Sequence, residues 1–231
     1  MRTAARLWTL TTLAGLILLT GGSAVLAAGP APTTEEQKIL YALGVAISQN
    51  LASFSLTEAE LELVKAGLTD GALNREKQVD LQAYRPKIQE LQRSRAAVVA
   101  AAEKKAGQAF LDKAAAEKGA TRTASGIVIT TLKPGTGESP KATDKVKVHY
   151  HGTLADGTVF DSSVERGQPA TFVLNGVIKC WTEGVQQMKV GGKSRLVCPS
   201  DIAYGDRGSP PKIKPGATLV FEVELLEIVK K

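Results

Sequence analysis

The chain has 231 residues, of which 43% are hydrophobic and 23% are charged, and its formal net charge is +6. A composition this apolar excludes an intrinsically disordered chain and is sufficient for one or two ordinary cores. The net charge is modest, and the sequence has no run of five or six Lys or Arg residues. The charge therefore gives little support for binding to nucleic acid.

Residues 1–28 differ in kind from the rest of the chain. Arg2 and Arg6 precede an apolar run from Leu7 to Leu19, and a pair of alanines closes the segment, as is typical of a cleavage site. We interpret this segment as a secretory signal peptide. An uncleaved membrane anchor is the alternative, although the run is interrupted by threonines and is shorter than the ~20 residues that a spanning helix needs.

Residues 29–79 have helical periodicity. Apolar side chains recur at every third or fourth position from Ile39 to Phe54. Thr57 and Glu60 have the spacing of a capping box, which predicts that a second helix starts there and ends near Gly71. Two short amphipathic helices of this kind bury little surface by themselves.

Residues 80–119 predict one long helix. It starts near Asp80, and Gly119 is the predicted C-cap. Pro86 lies well inside this segment, so the helix either bends there or starts later. Beyond Leu91 the apolar stripe thins largely to alanine, which favours a solvent-exposed connecting helix over a core helix.

Residues 120–231 change to a period of two. Apolar and polar side chains alternate from Lys145 to Tyr150 and again from Leu219 to Leu225, as expected of half-buried strands. Paired Gly and Pro residues mark the turns, and only Thr182 to Met188 has a helical pattern. The predicted fold class is α+β, with N-terminal helices followed by an antiparallel β-sheet around a short helix.

Two linked motifs carry a family resemblance. The first starts at Val146 and reads VKVHYHGTLADGTVFDSS, and the second starts at Gly176 and reads GVIKCWTEGVQQMKVGGKSRLVCPSDIAYGD. In order and spacing they resemble the FKBP-type peptidyl-prolyl cis/trans isomerases, over a region from about Gly126 to Val229. This resemblance implies that residues 120–231 form an isomerase domain.

The N-terminal segment YALGVAISQNL is similar to the N-terminal domain of the Mip-like bacterial FKBPs. That resemblance implies that residues 29–79 form a homodimerisation domain and that residues 80–119 connect it to the isomerase domain. An intramolecular helical bundle packed on the C-terminal domain is the alternative. An exposed connecting helix favours the dimer.

The family resemblance implies catalysis of rotation about X–Pro bonds in unfolded or partly folded proteins. Rotation breaks amide resonance at a barrier of ~18–20 kcal/mol. An apolar cavity that holds the prolyl ring and favours the twisted amide lowers this barrier without a nucleophile, metal or cofactor. The family also binds macrolide inhibitors, but Lys212 and Lys214 replace apolar or proline positions, so macrolide affinity stays open.

Transferred position by position, the resemblance implies a catalytic set that consists of Tyr150, Phe160, Asp161 and Tyr204. It implies a substrate-binding set that consists of Arg166, Phe172, Val177, Ile178, Trp181, Ile213 and Phe221. Trp181 is expected under the prolyl ring, and Arg166 is expected to pair with Asp161. The Tyr204 hydroxyl is expected to bond a substrate carbonyl. Taken singly, each aromatic residue is as readily a core residue, and the ordered set favours the pocket.

Cys180 and Cys198 are the only cysteines, and both lie in the predicted exported part. An even count in an oxidising compartment favours a disulfide, worth about 3 kcal/mol for a loop of this size. Two buried free thiols are the alternative. His149 and His151, the only histidines, share one strand face without a nearby third ligand, so we predict no metal site.

Our primary hypothesis is an exported prolyl isomerase of the bacterial periplasm that assists the folding of secreted or envelope proteins. Its two catalytic domains are carried on a dimeric helical base. The alternative hypothesis is a binding chaperone that holds unfolded chains in the cleft between the two arms, where each arm is the connecting helix of one subunit with its catalytic domain. Association with the outer membrane is left open by the sequence.

Overall fold

The computed structural model describes residues 31–229, and the predicted signal peptide lies outside them. The α-helices are α1 Glu35–Ser48, α2 Glu58–Ala72, α3 Leu81–Ala115 and α4 Lys179–Gln186. The β-strands are β1 Ala120–Arg122, β2 Val128–Lys133, β3 Lys145–Leu154, β4 Val159–Ser162, β5 Ala170–Val173, β6 Lys193–Cys198 and β7 Leu219–Val229. Within this part of the chain, no helix is both long and apolar enough to cross a membrane.

The described residues divide into two units, one up to Tyr41 and one from Ala42 onward. The β-sheet and the helices from α2 onward all lie in the second unit.

The start of α2 confirms the predicted capping box. The Thr57 hydroxyl accepts the Glu60 N–H, and the Glu60 carboxylate accepts the Thr57 N–H at 2.8 Å. Ahead of it, α1 gives way to a 3₁₀ turn at Gln49–Phe54, where the apolar pattern alone predicted continuous helix. Ser55 ends this turn in the left-handed conformation, with φ 47°.

The long helix α3 starts where the sequence predicts, because the Asp80 carboxylate accepts the Gln82 N–H at 2.9 Å. Pro86 lies inside it, so a start after this proline is wrong. The predicted cap at Gly119 is also wrong. The helix ends at Ala115, and Gly119 instead takes a φ of 81° in the turn that leads into β1.

Arg95 of α3 binds both the end of the 3₁₀ turn before α2 and the first turn of α2. Its Nη1 donates to the Phe54 carbonyl at 2.8 Å, and its guanidinium pairs with the Glu60 carboxylate. The hydrogen bonds from Arg95 and then from Thr57 lower the pKa of Glu60 to about 2. The carboxylate therefore stays ionised and keeps both partners at neutral pH.

The strands form one antiparallel sheet in the order β1-β2-β6-β7-β3-β4. One edge of β3 pairs with β7 along its whole length. Its other edge is shared, since β5 pairs with Lys145–Val148 and β4 pairs with His151–Thr153. This arrangement brings the end of β4 and the start of β5 close to the middle of β3.

One face of the sheet packs against α4. Val146 and Val148 of β3 are fully buried there, as the alternating pattern predicts, together with Leu219 and Val223 of β7. Trp181 of α4 belongs to the same core. The α+β fold with an antiparallel sheet around a short helix is confirmed.

The opposite face of the sheet is covered by the second half of α3. Val128, Val197 and Val220 are cross-strand neighbours on β2, β6 and β7, and they pack against Leu111 and Ala114. An exposed connecting helix is therefore wrong for this half, because small side chains let the helix lie close to the sheet. The exposed half of α3 is instead the first half, which carries the apolar stripe.

Candidate active site

An open cavity of about 560 Å³ lies beside α4. Its lining consists of Tyr150, Phe160, Asp161, Phe172, Gly176, Val177, Ile178, Trp181, Tyr204 and Phe221. These residues come from β3, β4, β5, β7, α4 and two loops, so the fold gathers them from separate parts of the chain.

Trp181 lies at the centre of the aromatic lining and is 4% exposed. Its ring centroid is 5.3 Å from that of Tyr150, 5.6 Å from Phe172 and 5.4 Å from Phe221, and each pair is packed edge to face. Phe160 packs on Phe221 in the same way, at 5.4 Å. Edge-to-face packing suits aromatic quadrupoles and holds each ring in a defined orientation.

The start of α4 fixes the orientation of Trp181. The Ile178 carbonyl accepts the N–H of Trp181 at 2.9 Å and that of Thr182 at 3.1 Å. The Thr182 hydroxyl donates to the carbonyl of Leu174, a fully buried residue, at 2.5 Å. These bonds join the turn before α4 to its first residues, so Val177 and Ile178 are held at the edge of the cavity.

The polar side of the cavity is a hydrogen-bonded group of three side chains. The Tyr150 hydroxyl donates to Asp161 Oδ2, and Arg166 Nη1 donates to Asp161 Oδ1. Arg166 Nη2 closes the group by donating to the Tyr150 hydroxyl at 2.9 Å. Arg166 does not line the cavity, but it contacts Tyr150 and Asp161, which do.

This group keeps Asp161 ionised. Burial by itself would raise the pKa of Asp161, but the hydrogen bonds from Tyr150 and Arg166 outweigh it and hold the pKa below its usual value. Burial, and then the hydrogen bond to Asp161, raise the pKa of the Tyr150 hydroxyl. The ionised Asp161 carboxylate therefore stabilises the folded protein. This stabilisation is present above the pKa of about 3.9 that Asp has in the unfolded chain, and it is lost as the pH falls through the lower pKa of Asp161 in the folded protein.

Tyr204 lies on the rim and is 40% exposed. It follows a 3₁₀ turn at Ser200–Ile202 and precedes another at Gly205–Arg207. Its ring is therefore held by a loop and not by the core.

Ile213 is the one aliphatic residue of the predicted set that does not line this cavity. It is buried in the same core as the aromatic residues. It also lines a second cavity, of about 460 Å³, together with Val98 and Val99 of α3. Ile213 thus lies between the aromatic cavity and the long helix.

The structure adds two glycines and a lysine that sequence reasoning missed as parts of the site. Gly176 lines the cavity. A Cβ atom on Gly152 would lie 2.7 Å from Phe160 and 3.1 Å from Phe221. Lys212 donates to the Phe160 carbonyl at 2.9 Å. An isolated glycine inside a strand pattern is a known sign of close approach, and Gly152 could have been identified by it.

The structure places Cys180 and Cys198 in the geometry of the predicted disulfide. The Cα atoms of Cys180 and Cys198 are 5.8 Å apart, and both side chains are fully buried. Cys180 directly precedes Trp181, and Cys198 ends β6 just before the loop that carries Tyr204. The bridge thus joins the two segments that supply these cavity residues.

Two family models match the chain. Residues 36–128 match the domain amino terminal to FKBP-type peptidyl-prolyl isomerase, and residues 136–226 match the FKBP-type peptidyl-prolyl cis-trans isomerase domain. The boundary between these models falls within the turns and strands that follow α3, so the helix belongs to the N-terminal model.

Relatives match over most of the chain. The isomerase FkpA of Aeromonas hydrophila is 44% identical over 207 residues, which cover 84% of this chain and 77% of FkpA. The 22 kDa FKBP-type isomerase of Escherichia coli strain K12 is 39% identical, with 87% and 98% covered. The isomerase Mip of Coxiella burnetii is 35% identical, with 94% and 95% covered.

The crystal structure of FkpA from Escherichia coli matches with a TM-score of 0.63 at 37% identity, covering 86% of this chain and 98% of that chain. The resemblance predicted from the two sequence motifs is confirmed. With its N-terminal helical domain and its aromatic cavity, this chain belongs to the FKBP-type peptidyl-prolyl cis-trans isomerase family.

Proposed function

We propose that this protein is an exported, dimeric prolyl isomerase that accelerates rotation about X–Pro bonds in proteins folding outside the cytoplasm. The observation that carries the proposal is the aromatic cavity around Trp181 with the ion pair of Asp161 and Arg166 at its edge. The buried disulfide supports an oxidising compartment, since such bridges persist in exported proteins.

The chemistry follows from the energetics of the amide bond. A planar amide is stabilised by resonance and is well solvated, and its twisted form has lost the resonance. A cavity that removes water from the bond and holds the prolyl ring favours the twisted form over both planar ones. Trp181, Phe221 and Phe160 supply the apolar surface for the ring.

The polar residues orient the substrate. Asp161 and Arg166 form a fixed charge pair at the cavity edge, which places a defined field next to the rotating bond without reorganisation. The Tyr150 hydroxyl is engaged by both partners and holds them in place. The exposed Tyr204 bonds a substrate carbonyl on the rim. Phe172, Val177, Ile178 and Ile213 complete the apolar surround.

The N-terminal helices, including α2 and the first half of α3, form a dimer with a second copy of this chain. No residue of α2 is buried, and Leu63 of α2 is 75% exposed. Tyr84, Ile88 and Leu91 form a stripe along the first half of α3, each 42% exposed. Monomeric proteins rarely expose this much apolar surface, and a short helical unit gains its core by association.

A dimer carries two catalytic domains on one base. A client chain released by one domain meets the second at high effective concentration, so repeated encounters with several prolines are favoured. The same arms would hold unfolded segments and suppress their aggregation. This holding activity is the second candidate function, and it would use the apolar surface of α2 and α3 that the dimer leaves exposed.

A truncated variant separates the two activities. Residues 97–231 keep the part of α3 that covers Val128, Val197 and Val220, whereas a variant that starts at residue 120 would expose them. We expect the 97–231 variant to sediment as a monomer and to retain kcat/KM on short X–Pro peptides within about two-fold, because the whole cavity is kept. The full chain is expected to sediment as a dimer and to suppress aggregation of an unfolded client better than the variant.

Three results would contradict parts of this account. A full chain that sediments as a monomer at micromolar concentration would exclude the dimer. A truncated variant that suppresses aggregation as well as the full chain would exclude holding by the arms. A folded truncated variant that is inactive on peptides would assign the catalytic role to a larger part of the chain.

A further inference from the structure

The loop that carries Tyr204 has an acidic residue on each side of that tyrosine. We define the Tyr204 loop as residues 199–208. Asp201 lies in the 3₁₀ turn before Tyr204, and Asp206 lies in the turn after it. Tyr204 itself is 40% exposed, so core packing does not set its position.

Lys104 of α3 bridges these two turns. Its Nζ is 2.7 Å from Asp201 Oδ1 and 2.7 Å from Asp206 Oδ1. One ammonium group therefore joins the segment before Tyr204 to the segment after it. Without this charge the two carboxylates would face each other uncompensated, and like charges at short range repel.

A backbone contact lies one helical turn earlier on α3. Ala100 is 3% exposed, and a Cβ atom on Gly216 would lie 2.5 Å from its carbonyl oxygen. The Gly216 N–H donates to the carbonyl of Gly205, the residue after Tyr204, at 2.9 Å. The helix α3 is therefore connected to the Tyr204 loop at two points. Ala100 packs against Gly216, which bonds to Gly205, and the Lys104 ammonium pairs with Asp201 and Asp206.

We propose that Lys104 is a positioning residue for catalysis, which holds the Tyr204 loop so that the Tyr204 hydroxyl meets the substrate at the rim of the cavity. The inference rests on the proposed role of Tyr204 in binding substrate. It extends the functional site to the long helix, which the aromatic cavity does not touch, and it makes α3 a structural part of the isomerase.

The test compares Lys104→Met with Lys105→Met in the full-length protein. Both variants remove one positive charge from α3, and Lys105 is exposed on the same helix. Because both carboxylates of the bridge are largely exposed to solvent, Lys104→Met is expected to lower kcat/KM on an X–Pro peptide only about two- to five-fold. Lys105→Met is expected to leave it unchanged, and Lys104→Arg to restore most of the loss. Unfolding midpoints of the variants are measured in parallel.

A double-mutant cycle identifies the residue through which Lys104 acts. In the Tyr204→Phe background, Lys104→Met is expected to cause no further loss, because the positioned hydroxyl is already absent. Full activity of folded Lys104→Met, or an equal loss in the Tyr204→Phe background, would overturn the inference while the role of Tyr204 stands. Full activity of Tyr204→Phe alone would overturn that role, and with it the inference.

Discussion

Replacing Gly152 by alanine is expected to lower kcat/KM on a short X–Pro peptide by about five-fold or more. Gly152 is buried in β3, and its cross-strand neighbours are Asp161 on β4 and Phe221 on β7. An added Cβ would lie 2.7 Å from the Phe160 ring and 3.1 Å from the Phe221 ring. Overpacking of this kind costs about 1–3 kcal/mol, and 1.4 kcal/mol corresponds to about ten-fold in rate.

The loss is expected in activity because the displaced rings are themselves walls of the cavity. Gly137→Ala is the matched control, since its Cβ would lie 2.8 Å from Val190, a residue outside the cavity lining. We expect Gly137→Ala to lower the unfolding midpoint with little change in kcat/KM. Equal activities of the two alanine variants, at equal folded fraction, would mean that the ring positions do not govern catalysis.

Removal of the disulfide is expected to lower the free energy of unfolding by about 3 kcal/mol. The two cysteines are 18 residues apart, and closure of a loop of this length restricts the unfolded chain by about that amount. The double variant Cys180→Ala, Cys198→Ala keeps small apolar side chains at two fully buried positions. The loss of stability therefore comes chiefly from the greater conformational entropy of the unfolded chain without the bridge.

Urea unfolding of the oxidised wild type and the double variant, at one protein concentration, measures this difference. The wild type unfolded in the presence of a reductant is the control, and we expect its midpoint to approach that of the variant. Equal midpoints for oxidised wild type and variant would contradict the stabilising role. Two reactive thiols in the unfolded, non-reduced wild type would contradict the bridge itself.

The local features of the fold could be predicted from the sequence because each depends on residues that are close together in the chain. Thr57 and Glu60 form the predicted capping box, and Asp80 starts α3. The alternation in β3 and β7 predicted which side chains are buried. The lining of the cavity came from the family resemblance, since its residues lie on five separate elements and two loops, and no local pattern predicts that these meet.

The packing of α3 shows what a local pattern misses. Its second half is rich in alanine, and a stripe of such small side chains by itself predicts an exposed surface. In the structure those small side chains are what allow the helix to lie on Val128, Val197 and Val220. The contacts of Lys104 with Asp201 and Asp206 likewise join residues about one hundred positions apart, so periodicity in one helix carries no sign of them.

We infer that the aromatic cavity, with Asp161 at its edge and Tyr204 at its rim, catalyses rotation about the prolyl bond. The most direct measurement is the cis-to-trans relaxation of a short X–Pro peptide with the mature protein, beside the double variant Asp161→Ala, Tyr204→Phe. We predict clear acceleration by the wild type and a rate well below it for the folded double variant. Folded wild type that does not accelerate the relaxation, or a double variant as fast as the wild type, would contradict the claim.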